Sequence, residues 1–260
     1  MSATAVIRVR IAVAIALFAA CGAESRAQVN IETLREPVAE RGWATSIDVQ
    51  LQHRSGNVEH TKLDLDVRTD LRADRAHSFA LLRGGLGLLG GERFANEGLA
   101  HVRLMYGSGW AVPEAFTQGD YDKSRKLDGR VLGGTGIRLR LYERDKKTLA
   151  FGTAWMLEHE RYDLDETARH EKRSTAHRWS NYVVVRRTLG NNASVSWIAY
   201  AQPRFDAFDD LRILVDASLG VGITTALAMT ATFHLRFDSE PPDEIDDLDT
   251  SLSTGVQIVF

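Results

Sequence analysis

From Trp43 to the last residue, apolar and polar side chains alternate almost one by one. Trp43, Thr45, Ile47, Val49 and Leu51 share one face, while Ser46, Asp48, Gln50 and Gln52 share the other. After the turn signal Arg54-Ser-Gly-Asn57 the alternation resumes. Thr61, Leu63, Leu65, Val67, Thr69 and Leu71 oppose His60, Lys62, Asp64, Asp66, Arg68 and Asp70. A period of two held this long predicts a strand with one apolar and one polar face. The pattern returns with apolar faces at Leu82–Leu88, Ala100–Tyr106, Val131–Leu141, Leu149–Leu157, Val195–Ala199, Leu211–Leu219, Leu227–Leu235 and Leu252–Phe260. A weaker strand covers about Trp110–Thr117, interrupted by Pro113. His177–Arg187 also reads as a strand, but its facing is ambiguous.

The total is about twelve strands, an even number, and no segment of helical period is long enough to cover them. The connections alternate too. Longer polar stretches such as Gln118–Lys126, Asp163–Lys172 and Asp238–Asp249 follow odd strands. Tight links such as Arg72–Ala76, Gly107–Gly109, Glu143–Lys147, Gly190–Asn191 and Ile223–Thr225 follow even ones. Ser55-Gly56-Asn57 is an exception, short where a long loop is expected. A soluble barrel also alternates, but it turns its apolar face inward. Here the polar face carries charged ladders, Lys62-x-Asp64-x-Asp66-x-Arg68 and Arg138-x-Arg140. Alternating segments with short turns at one end and longer loops at the other predict an all-β, antiparallel up-and-down transmembrane β-barrel of about 12 strands.

The N-terminus sharpens this expectation. Arg8 and Arg10 precede the apolar run Ile11–Ala20, which is too short to span a bilayer, and Ser25-Arg26-Ala27 is a small-x-small exit. These features predict a signal peptide, residues 1–27, cleaved after Ala27. Residues 28–42 then form a periplasmic lead-in, and residues 43–260 an outer-membrane β-barrel. Cys21 ends the apolar run and raises lipid attachment as a competing reading, with Phe18 where Leu is usual. It is the only cysteine, so a disulfide framework and a Cys-based zinc site are both excluded. At the other end, Val256, Ile258 and Phe260 continue the alternation to the last residue. They are expected to form an assembly signal read by the barrel-assembly machinery, with outer-membrane lipid as the other partner.

The formal charge of −3 argues against a nucleic-acid binder. Candidate lumen-lining residues are Lys62, Asp64, Asp66, Arg68, Arg130, Arg138, Arg140, Glu158 and Asp216. Both signs are abundant among them. Gly85, Gly87, Gly134, Gly136, Ala150 and Ala154 are expected to leave room beside them. The reading is therefore a narrow small-solute diffusion channel whose solute is unknown. The alternative is a structural or interaction barrel with a plugged lumen, and an outer-membrane hydrolase ranks below both.

No catalytic residue, cofactor or metal is expected. His77 and Ser78 are sequence neighbours, and neighbours on a strand point to opposite faces, so they cannot form a nucleophile–base pair. His159, Asp163, Asp165 and His170 read as a solvated loop region, and His101 and His234 as lumen polar groups. The acidic stretch Asp238–Asp249 lacks the spacing of a calcium loop.

Several motifs, taken in order, resemble a known family. They are Val29-Asn-Ile-Glu32, Arg54-Ser-Gly-Asn-Val-Glu59, Leu127-Asp-Gly-Arg130-Val-Leu-Gly133-Gly-Thr-Gly136, Arg236-Phe-Asp-Ser-Glu-Pro-Pro242 and Asp249-Thr250. Together they resemble the barrels grouped as domain of unknown function 481, some of which carry the label salt-induced outer-membrane protein. Val58 departs from the Thr expected after Gly-Asn. The resemblance implies an outer-membrane barrel and carries over no catalytic or binding residue.

Overall fold

The structure, a computed structural model, describes residues 41–259 apart from 55–59, 145, 191 and 225. The expected signal peptide, the lead-in up to residue 40, the Ser55-Gly56-Asn57 turn and Phe260 lie outside the described residues.

Twelve strands follow one another: β1 Gly42–Arg54, β2 His60–Arg72, β3 Ala76–Leu89, β4 Glu92–Tyr106, β5 Ala111–Asp122 and β6 Leu127–Arg144. The second half comprises β7 Lys147–Tyr162, β8 Arg173–Leu189, β9 Ala193–Pro203, β10 Leu211–Gly222, β11 Leu227–Asp238 and β12 Leu248–Val259. Each pairs antiparallel with its sequence neighbours, and β12 pairs with β1 to close the barrel. The closing register sets Ser46 against Val259 and Val49 against Val256. Over Ser46–Val49 and Val256–Val259 the two end strands of the sheet meet, which covers their edges along that stretch.

The barrel is inside out relative to a soluble protein. Arg68, Glu158 and Lys62 are 0%, 1% and 3% exposed, whereas Trp43, Leu51 and Val131 are 70%, 67% and 64% exposed. Charged groups are seldom fully buried, and large apolar side chains are seldom laid out row upon row on the outside. A wall of this kind is matched to hydrocarbon. Trp43, Tyr106 and Trp110 stand at the rim that carries the tight β2–β3 and β4–β5 links, where an aromatic ring bridges lipid and water.

Several elements differ from the sequence reading. β5 does not stop near Thr117 but continues to Asp122, and the expected loop Gln118–Lys126 contracts to a 3-10 turn, Lys123–Arg125, with Lys126. Gln118, Asp120 and Asp122 read as loop because they are polar. In an inside-out barrel they are the inward face: Gln118 meets His101, Asp120 meets Arg130, and Asp122 caps the turn through Ser124 N–H. Pro113 is tolerated because the β4–β5 register begins at Glu114, so Pro113 interrupts no ladder on that side. β3 and β4 are joined by Gly90-Gly91 alone, both with positive φ, so the long-loop end is not uniformly long. In β8 the ambiguity resolves with Arg178, Ser180, Tyr182 and Val184 buried inside, and His177, Trp179 and Val185 facing out. Both faces are mixed. The outward Asn181 is satisfied locally, because Trp179 Nε1 donates to Thr153 and Thr153 donates to Asn181.

Candidate functional site

The interior is the candidate site, and most of it is filled. At the level nearest the longer loops, Arg212 is the hub. Its Nη1 lies 3.0 Å from Glu158 Oε1 and 2.9 Å from Glu160 Oε1, its Nη2 lies 3.0 Å from Glu160 Oε2, and its Nε lies 3.0 Å from Asp238 Oδ2. Arg178 bonds Glu158, reaches Asp210 at 2.9 Å and donates to the Gln202 carbonyl at 3.0 Å. Arg130 completes the level, 3.0 Å from Asp120 and 3.7 Å from Glu160. These residues come from every strand from β5 to β11, with Asp210 from the β9–β10 connection. The network therefore ties non-neighbouring strands across the barrel and does not merely decorate one wall.

Below it, Tyr182 donates to Glu114 Oε2 at 2.8 Å and accepts from Arg138 Nη1 at 3.4 Å, and Arg103 reaches Glu114 at 3.3 Å. Arg103 also stacks over the Phe116 and Tyr182 rings. Ala150, Val184, Ile198, Tyr200 and Leu214 pack around Tyr182, and a second buried cluster joins Phe79, Leu81, Leu99, Met105 and Val112. On the β2 side, Lys62 lies 3.6 Å from both Asp64 and Glu97. Arg68 forks onto Asp70, which also bonds His77, while its guanidinium covers the Phe79 ring at 3.7 Å.

The glycines do not leave open space. A Cβ at Gly85 would meet Glu97 and Asp64, and one at Gly134 would meet the Phe116 ring. Ala150 is itself enclosed in an apolar cluster. The small residues accommodate large neighbours instead of a water path, which corrects the sequence expectation.

Inside the barrel there is open space at the tight-turn end. A cavity of about 630 Å³ is bounded by the turn residues Lys146, Asn192 and Thr224 and runs inward past Ser196, Ser218 and Thr232 as far as Asp48 and His234. Its inner wall is rich in hydroxyls, with Arg72, Arg83 and Arg186 among its cations. The opposite mouth is roofed. Asp243 accepts the backbone N–H of Arg169 at 2.9 Å and of His170 at 2.8 Å, joining the β11–β12 loop to the β7–β8 loop. Those two N–H groups hold the Asp243 carboxyl below the usual carboxylate range, so the contact is intact at neutral pH. Lys126 adds an ion pair to Glu244.

Of the sequence candidates, Lys62, Asp64, Asp66, Arg68, Arg130, Arg138, Glu158 and Asp216 are buried. Asp66 is gripped by the fork of Arg83, and Asp216 is bonded to His234. Arg140 stands apart, half-exposed at the tight-turn rim and 3.7 Å from Glu143. Sequence reasoning did not place Glu114, Asp120, Glu160, Arg178, Arg212 or Asp238 among the lumen-lining candidates. Their parity carries the missing signal, since Glu160 follows Glu158 on the same face and Arg212 opposes Leu211 and Ile213. His159 bonds Thr175 and His170 bonds the Glu171 carbonyl, so the histidines of that region are not brought together. Among the described residues no three of His, Cys, Asp and Glu converge as a metal-binding group. His77 points in and Ser78 does not.

A closed, all-antiparallel, 12-stranded barrel with a lipid-matched wall and a charged interior is a transmembrane β-barrel. The chain belongs to the family described as protein of unknown function, DUF481, whose family model matches residues 47–260. No curated protein matches it. Solved structures to which it is similar include the NanC porin, at 9% identity over 83% of this chain and 98% of that one, with a TM-score of 0.49. The KdgM porin in complex with disordered oligogalacturonate shows 10% identity over 83% and 99%, TM-score 0.45. The β domain of the Bordetella autotransporter BrkA shows 13% over 84% and 97%, TM-score 0.41.

Proposed function

We propose that this protein is an outer-membrane barrel with a one-sided lumen: a water-filled vestibule open to the periplasm, closed on the outer side by a plug of ion pairs. Of the two roles considered from sequence, the plugged structural or interaction barrel is the one the interior supports, ahead of an open diffusion channel. The observation that carries this reading is Arg212 on β10, whose three bonds to Glu158 and Glu160 reach past β9 and β8 to β7, across the space a solute would need, while a fourth bond holds Asp238 directly opposite on β11. Orientation rests on tight turns facing the periplasm and longer loops facing outward. Signal cleavage after Ala27 and delivery to the barrel-assembly machinery through Val256, Ile258 and Phe260 belong to the same proposal. Catalysis has no part in it.

Thiol labelling of lipid-embedded protein tests the reading. Ser218→Cys, in the vestibule wall, should react with a small hydrophilic thiol reagent, whereas Ala176→Cys, in the buried level of Arg178, should stay unlabelled. Rapid labelling of both would mean that water passes the plug, and the channel reading would replace this one.

A further inference from the structure

Near the longer loops the outer wall carries a strip that is poor in large side chains. Two adjacent cross-strand rows run around it. One is Ala100, Gly119, Val131, His159 and Thr175; the other includes Gly98 and Tyr121, then Gly129, Arg161 and Arg173. Val131 stands out from the first row, but beside it Gly119 and Gly129 leave the backbone uncovered where the rest of the wall bears larger side chains. A Cβ at Gly129 would meet nothing within 4 Å, and one at Gly119 only a carbonyl at 4.0 Å. Tyr121 does not cover the strip. Its ring lies over Gly98, where an added Cβ would be 2.6 Å away, and its hydroxyl donates to Asn96 at 3.3 Å. The result is a depression of about 770 Å³ in the lipid-facing wall, close to the longer loops.

Cations close its upper end. Arg161 and Arg173 sit directly opposite each other on β7 and β8, an arrangement that destabilises a sheet unless an anion joins it. Asp128 lies 3.3 Å from Arg161 but is shared with Lys123, and Arg173 makes no ion pair among the described residues. His159 stands one row below. Arginine presents its N–H donors in a planar fork that fits phosphate oxygens, and basic sites of this kind at a membrane surface recognise lipid headgroups.

We propose that this depression binds a phosphate-bearing lipid of the leaflet next to the longer loops. One acyl chain lies along Gly119 and Gly129, and the headgroup phosphate is held between Arg161 and Arg173. The inference rests on the outer-membrane reading but not on whether the lumen is open. Charge complementarity selects the occupant, because an uncharged lipid would leave the two arginines opposed.

The test titrates lipid A, a sugar lipid with phosphate groups, into full-length mature protein in neutral detergent and reads the bound fraction by native mass spectrometry. Heat-modifiable gel mobility is measured on every sample. Wild type should bind lipid A at least about tenfold more tightly than dephosphorylated lipid A, a difference near 1.4 kcal/mol. R161A/R173A should lose the same factor, and R187A, at the opposite rim, should lose none. Gly119→Leu keeps every charge but fills the depression, so it should also weaken binding; it and Arg173→Gln stand in if the double variant fails to fold. Equal binding by wild type and R161A/R173A overturns the proposal. So does equal binding of the two lipids, or displacement of lipid A by excess inorganic phosphate alone. A wild type without heat-modifiable mobility would instead contradict the membrane reading itself.

Discussion

Replacing Arg212 by Ala should destabilise the barrel by about 3–5 kcal/mol, because it strips one guanidinium from three buried carboxylates at once. Breaking a buried pair is costly because the remaining charge can neither regain water nor find a new partner. Among the described residues Glu158 retains Arg178, whereas Glu160 is left with Arg130 at 3.7 Å and the Ser174 hydroxyl at 3.3 Å, and Asp238 with Arg236 at 3.8 Å and the Glu240 N–H at 3.2 Å. The comparison is Arg140→Ala at the rim, whose half-exposed pair with Glu143 should contribute no more than about 1 kcal/mol. Equilibrium unfolding of both variants in lipid vesicles checks the ranking. Equal losses would show that the interior is hydrated and the plug is not a unit.

Leu65→Arg carries the second large effect, about 2–4 kcal/mol, because Leu65 faces outward at the middle of β2 and the cost of a lipid-facing cation peaks at the bilayer midplane. Leu71→Arg, outward on the same strand but one residue from its end, should cost only about 0–1 kcal/mol. A matching loss at both positions would mean that depth in the bilayer does not govern this wall. From alternation alone Asp66→Asn reads as mild. The Arg83 fork revises that, since losing charge-assisted bonds at a buried site costs about 1.5–3 kcal/mol.

The architecture was legible because each strand reports its own facing. Once Leu63, Leu65 and Val67 are placed outward, Lys62, Asp64, Asp66 and Arg68 must point inward, and twelve such segments close a barrel. The plug was less legible because it depends on partners far apart in sequence. Tyr182 finds Glu114 68 residues away, and Arg212 finds Glu158 at 54. Three of its members were also hidden by local rules that hold for soluble proteins. Asp120 read as loop, Asp238 as the start of a solvated acidic stretch, and Arg178 lay on the one strand with two mixed faces. Gly85 and Gly134 misled for a related reason. A missing side chain looks like room until the neighbouring strand's Glu97 or Phe116 is seen to occupy it.

Current through a planar bilayer containing the refolded wild-type protein tests the central claim most directly. A lumen closed by the Arg212, Arg178 and Arg130 pairs predicts no steady conductance from the wild type and measurable current only when the plug is cut, as in Glu158→Gln/Glu160→Gln. A stable, ohmic wild-type conductance that those substitutions leave unchanged would contradict it.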